Sequence, residues 1–205
     1  MARHVQAALG GIGNFIVESS AVSNPGQTTT TDEDTATGVQ RSTVTGTGDQ
    51  ATYWIKTTVA GDRDIWRYTY VDFTTRTWWT KTSHSGLLGQ VAPGAPPALA
   101  TDTDAAQIRQ ALQSGQLALA GRGQVNGHSA IELVYAAKHI AAADQERYWV
   151  DARTFQPVQL DLPPFGPATT INETWRPKAP ALVRAVNTPQ VPAGFRQVPP
   201  APGWN

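Results

Sequence analysis

The dipeptide Asn126-Gly127, set within "LALAGRGQVNGHSAIELVY" at residues 117–135, constrains the fold more than any other feature of the chain. Both residues tolerate positive φ and both flanks alternate in strand fashion, which together mark a two-residue β-hairpin. Tight pairing sets Val125 opposite His128. It predicts that Ala118 and Ala120 share a face with Ile131, Leu133 and Tyr135, while Leu117, Leu119, Glu132 and Val134 point the other way. Both faces are then partly apolar, as in a sheet packed on each side.

Alternating runs bounded by turn residues recur along the chain. "NFIVESSAVS" (14–23), "VQRSTVTG" (39–46), "ATYWIKTTVA" (51–60), "DIWRYTYVDFTTRTWWTKTSH" (64–84), "ERYWVDARTFQPVQLDL" (146–162) and "ATTINETW" (168–175) read as strands or hairpins. Within 64–84, Trp66, Tyr68 and Tyr70 are two apart and project from one face, with Arg67 and Thr69 on the other. Asp72 in "VDFTTRT" and Asp151 in "WVDARTFQP" read as turn carboxylates that accept backbone N–H groups two or three residues on, in preference to a catalytic pair.

Helices are few. Residues 2–9 suit a short helix stopped by Gly10-Gly11, and "TDAAQIRQALQSG" (103–115) carries a capping-box-like start, one apolar stripe of Ala105, Ile108, Ala111 and Leu112, and a Gly115 stop. "NPGQTTTTDEDTATG" (24–38) reads as a long exposed acidic loop or hairpin tip. Residues 84–101, rich in Gly and Pro yet carrying Leu87 and Leu88, read either as a lid or as a surface excursion. The Pro-rich tail, 188–205, is expected to lack regular structure, after a short helix around Leu182 to Val186.

Composition narrows the chemistry. The 205 residues suit a single domain, 1–205, and 16% charged residues with abundant Gly, Pro, Thr and Ala favour strands and turns. A formal net charge of +0, with no run of Lys or Arg, lacks the footprint of a nucleic-acid or anionic-membrane binder. The absence of cysteine removes disulfides, thiolate metal sites and lipid attachment through sulfur. His4, His84, His128 and His139 show no metal-ligand spacing, and neither a Gly-x-Ser-x-Gly elbow nor HExxH occurs. "GIGNF" and "GRGQVNG" read as turns, and Glu132 and Glu173 as solvated strand positions. No enzyme, cofactor or metal is expected.

The order of elements, with "YWVDARTFQPVQLDL", "TINETWRPKAP" and "VPAGFRQVP", resembles the LolA-type lipoprotein carrier superfamily, which includes the mycobacterial lipid-binding lipoproteins and the RseB and MucB sensor domains. The resemblance spans most of the chain and is strongest over residues 116–198. It implies an α+β fold: a strongly curved antiparallel sheet, an incomplete β-barrel, whose concave face is covered by helices around an apolar cavity. It also implies an extracytoplasmic protein, secreted or anchored through a segment preceding this sequence, with a lipid or other apolar small molecule as ligand. An envelope protein partner is the alternative, and a monomer is expected. Trp54, Trp66, Tyr68, Tyr70, Trp78, Ile131, Leu133 and Tyr135 are the candidate lining residues, because flat apolar side chains bury large areas and line apolar pockets. Core packing is their competing role.

Overall fold

In the computed structural model the described residues are 2–24, 26–48, 50–60, 63–84, 111–135, 145–162 and 169–200. They form helix α1 (Ala2–Gly10), then strands β1 (Phe15–Asn24), β2 (Gln27–Asp34), β3 (Val39–Gly46), β4 (Ala51–Ala60), β5 (Arg63–Asp72) and β6 (Thr77–His84). There follow β7 (Leu117–Val125), β8 (His128–Tyr135), β9 (Arg147–Asp151), β10 (Pro157–Leu162), β11 (Thr169–Pro177), helix α2 (Pro180–Asn187) and β12 (Arg196–Gln197). Residues 111–114 are also helical. Beyond His84, which ends β6, the expected segment 84–101, with Leu87 and Leu88, lies outside the described residues, as does the front of the helix expected from 103.

All twelve strands join one open sheet in the order β12-β6-β5-β4-β3-β2-β1-β11-β10-β9-β8-β7. Neighbours are antiparallel except β12, which runs parallel to β6 through Arg196 and Thr77. The sheet is therefore mixed rather than wholly antiparallel, and the tail expected to be irregular supplies its edge. Two meanders, β1 to β6 and β7 to β11, meet where β1 pairs with β11 from Phe15 opposite Pro177 to Ala21 opposite Ile171.

The hairpin at Asn126-Gly127 forms as its residues dictate, with φ of 50° and 81° and Val125 opposite His128. Its register then departs from the expected one. A bulge between Leu119 and Gly121 shifts the pairing by one residue, so Leu117 lies opposite Tyr135 and Leu119 opposite Leu133. One extra residue flips every side chain beyond it. Leu117, not Ala118, is thereby buried with Ile131 and Leu133.

The acidic segment expected to be an exposed loop is strand β2, and its Asp32, Glu33 and Asp34 are buried. Partners make this possible. Asp32 bonds Arg41 at 2.8 Å and also Arg176, which reaches Glu18 at 3.2 Å. Asp34 accepts from Lys178 Nζ at 2.6 Å, Asn187 Nδ2 at 2.9 Å and the Ala36 N–H at 3.1 Å. Buried carboxylates persist only when paired in this way.

Each face of the sheet has its own cover. On the face that carries Val17, Ala21, Ile171, Leu160, Tyr148, Leu133 and Ile131 form a core closed by Ala111 and Leu112, each large side chain stabilising by about 1.5–3 kcal/mol. On the opposite face, Ile16 and Val39 pack against Val186 and Leu182 of α2. The helices therefore do not all cover one face, as the resemblance implies: α2 packs behind the sheet because Ile16 and Val39 present apolar surface there, and Asp34 ties its last turn down through Asn187.

Candidate functional site

Residues paired across antiparallel strands share a face, so the register assigns every candidate to a side. On the Val17 face, β4 and β5 pair Tyr53 with Tyr70, Ile55 with Tyr68 and Thr57 with Trp66. Tyr70 pairs in turn with Trp79 of β6. The rings form a ladder: Trp66 and Tyr68 stack with centroids 6.5 Å apart, and Tyr70 and Trp79 at 5.4 Å. Trp66, Tyr68 and Tyr70 stay half-buried, while Trp79 is buried.

Ile131, Leu133 and the backbone position of Tyr135 belong to this same face at the other end of the sheet. Trp54 and Trp78 do not. Trp54 lies opposite Thr69 and Arg41, and Trp78 opposite Val71, which places both on the Ile16 face. One surface cannot be lined by all eight candidates: six share the Val17 face and two sit behind it. On that rear side α2 contacts the β2–β3 region, and the chain leaves it to reach β6 as β12. The Phe195 ring there meets Phe73 edge-on at 5.5 Å and the Arg76 guanidinium at 5.8 Å.

Between the aromatic ladder and the aliphatic core lies a polar strip that the sequence reading missed. Ser19 of β1 is opposite Thr31 of β2, Thr31 opposite Ser42 of β3, and Ser42 opposite Tyr53 of β4. Thr31 and Ser42 hydroxyls bond at 2.7 Å. Burial pushes the Tyr53 phenol up to about 12, against a hydrogen bond with Ser42 that pulls it down, so it stays protonated at neutral pH. Burial also raises the Tyr68 phenol. Glu33 accepts from Gln40 Nε2 at 3.0 Å on the same face. Strand parity within β2 could have revealed the strip, since Thr29, Thr31 and Glu33 alternate with Thr30, Asp32 and Asp34.

The turn carboxylates act as expected. Asp72 Oδ1 accepts from the Thr75 N–H at 2.9 Å, and Asp151 Oδ1 from those of Arg153 at 2.9 Å and Thr154 at 2.7 Å. Burial alone would raise the Asp151 carboxyl, but these donors hold it below the usual carboxylate range. Glu132 and Glu173 lie on opposite faces, which excludes a paired acid and base at that position. Among the described residues no cluster of His, Asp and Glu is arranged to hold a metal, and no helix is long and apolar enough to cross a membrane.

No family model matches the sequence, and no curated protein does. Solved structures do match. The chain is similar to an uncharacterized conserved protein from Thermus thermophilus, at 9% identity and a TM-score of 0.50 over 96% of this chain and 98% of that one. The likeness is one of fold. A DUF1329 family protein from Desulfovibrio piger matches at 10% identity and TM-score 0.37, over 91% of this chain and 95% of that one. MucB in complex with MucA(peri) matches at 15% identity and TM-score 0.32, over 89% of this chain and 59% of that one.

Proposed function

We propose that the chain binds a lipid or similar apolar molecule on the Val17 face, outside the cytoplasm and without covalent chemistry. The observation that carries this reading is the ladder of Trp66, Tyr68 and Tyr70, which stays half-buried on the same face as the aliphatic wall of Ile131 and Leu133. Half-exposed aromatic rings on the face that further along carries an apolar wall, with a few hydroxyls between the two, have the composition expected of an apolar ligand site. LolA-type resemblance of the motifs supports the same reading.

Two measurements test it. Organic extraction and mass spectrometry of the purified protein is expected to release a lipid, and a fluorescent fatty-acid probe is expected to saturate at micromolar concentration. Trp66→Ala combined with Tyr68→Ala weakens the probe. A protein that yields no lipid and binds no probe refutes the proposal.

A second reading is favoured by the β7 edge, where Leu119 is 54% exposed on a strand that, among the described residues, has a neighbour on one side only. An extended partner segment can add to such an edge. Loss of partner capture by a Leu119→Lys variant, with lipid binding intact, would favour it over the first.

A further inference from the structure

Two polar atoms of the Val17 face are closed off from solvent and have no hydrogen-bond partner among the described residues: Ser19 Oγ, in a residue with 0% exposure, and Trp175 Nε1. Both sit at the junction of β1 and β11. Ser19 is opposite Glu173 and Val17 opposite Trp175, so Ser19 and Trp175 are diagonal neighbours on one face, about 7–8 Å apart at the backbone. An indole N–H only donates, and a serine hydroxyl donates or accepts. Such orphans are rare in native proteins because an unmet buried donor retains its whole desolvation cost.

They also stand at a boundary. On one side of β1 lie Ile171 and Leu160 of the aliphatic core, and on the other Thr31 and Ser42 of the polar strip. Two carboxyl side chains flank the pair, Glu173 opposite Ser19 and Glu33 opposite Val17.

We propose that Ser19 and Trp175 are the polar subsite of the lipid-binding face, donating to the carbonyl oxygen of an uncharged long-chain ester; this rests on the ligand-binding reading above. The donors call for an acceptor oxygen that brings no proton of its own. Flanking carboxyl groups discriminate against a free fatty acid, whose carboxylate would meet like charge or have to share a proton. An ester supplies the acceptor without the charge.

The test uses the whole chain and three probes: diphenylhexatriene, which has no polar group, methyl palmitate and palmitate. Wild-type protein is expected to take up diphenylhexatriene and to release it to methyl palmitate at lower concentration than to palmitate. Ser19→Ala and Trp175→Phe each weaken methyl palmitate about threefold to tenfold, the loss of one hydrogen bond, and leave diphenylhexatriene unchanged. Ser19→Ala also leaves the empty protein as stable as wild type or more so, since it removes an unpaired buried hydroxyl. Failure of wild type to bind diphenylhexatriene overturns the ligand-binding reading itself. Binding of diphenylhexatriene with palmitate as effective as its ester, or with both variants unchanged toward the ester, overturns the subsite alone. A Ser19→Ala protein destabilised in the empty state would show the hydroxyl to be satisfied already, and would overturn it too.

Discussion

Replacing Asp34 should expose how much the fold depends on one carboxylate. The side chain is 1% exposed and serves three donors, from Lys178, Asn187 and the Ala36 backbone. Removing one partner of a buried ionic pair costs about 3–5 kcal/mol, and a hydrogen bond to a charged group contributes about 1.5–3. Lys178 keeps 24% of its side chain in solvent and can regain water, so Asp34→Ala should cost about 3 kcal/mol, at the bottom of that range. For a chain of this size that is a fall in Tm of about 6–12 °C, or about 1.5 M in the urea midpoint.

The pH dependence has a defined sign. Burial alone would raise the Asp34 carboxyl, but the hydrogen bonds and charge of Lys178, with the Asn187 and Ala36 donors, outweigh it and hold the group below its ordinary value. Its stabilisation is therefore fully present above the unfolded value of about 3.9 and is lost as pH falls through the depressed folded value. Urea unfolding of wild type, Asp34→Asn and Asp34→Ala should show a constant gap at neutral pH that narrows in acid. A double-mutant cycle with Lys178→Met isolates the pair. Asp34→Ala within about 0.5 kcal/mol of wild type at neutral pH would refute the account, because that is the scatter of an ordinary surface substitution.

Other substitutions test other parts of the frame. Asp151→Ala removes the acceptor of two turn N–H groups and should lower stability by about 1–2 kcal/mol in urea unfolding, with the difference fading as pH drops. Gly46→Ala, at φ 111° with its new methyl driven into the Gly26 carbonyl, should cost more than about 2 kcal/mol by the same measurement. Because Tyr53 stays neutral up to about 12 in the folded state, stability should decline from the unfolded phenol value of about 10 upward, and Tyr53→Phe should reduce that decline in alkaline unfolding scans.

The local turns and strand parity were readable because they depend on neighbours in sequence. Asn126-Gly127, Asp72 and Asp151 act within a few residues of themselves, and Trp66, Tyr68 and Tyr70 share a face by backbone alternation alone. Long-range compensation was not readable. Strand β2 resembles a loop because, Arg41 apart, the side-chain groups that pair with Asp32 and Asp34 come from the far end of the chain: the cations of Arg176 and Lys178 and the amide of Asn187. Trp54 joins the wrong side for a similar reason: its face relative to Tyr68 depends on which residues pair between β4 and β5, and periodicity within either strand is silent on that. The bulge before Gly121 and the two-residue β12 are smaller than any repeating pattern.

The meeting of β1 with β11 joins residues about as far apart in sequence as the sheet allows, while every other antiparallel pair links strands that follow one another along the chain. Closing so long a loop carries an entropy penalty that adjacent hairpins escape, so this joint should zip up last in folding and slacken first under stress. Ser19 and Trp175 stand on either bank of it. A guest held by both would act as a suture, and slowed amide exchange along Phe15–Ala21 on loading would be the mark of a fold tightened by its own cargo.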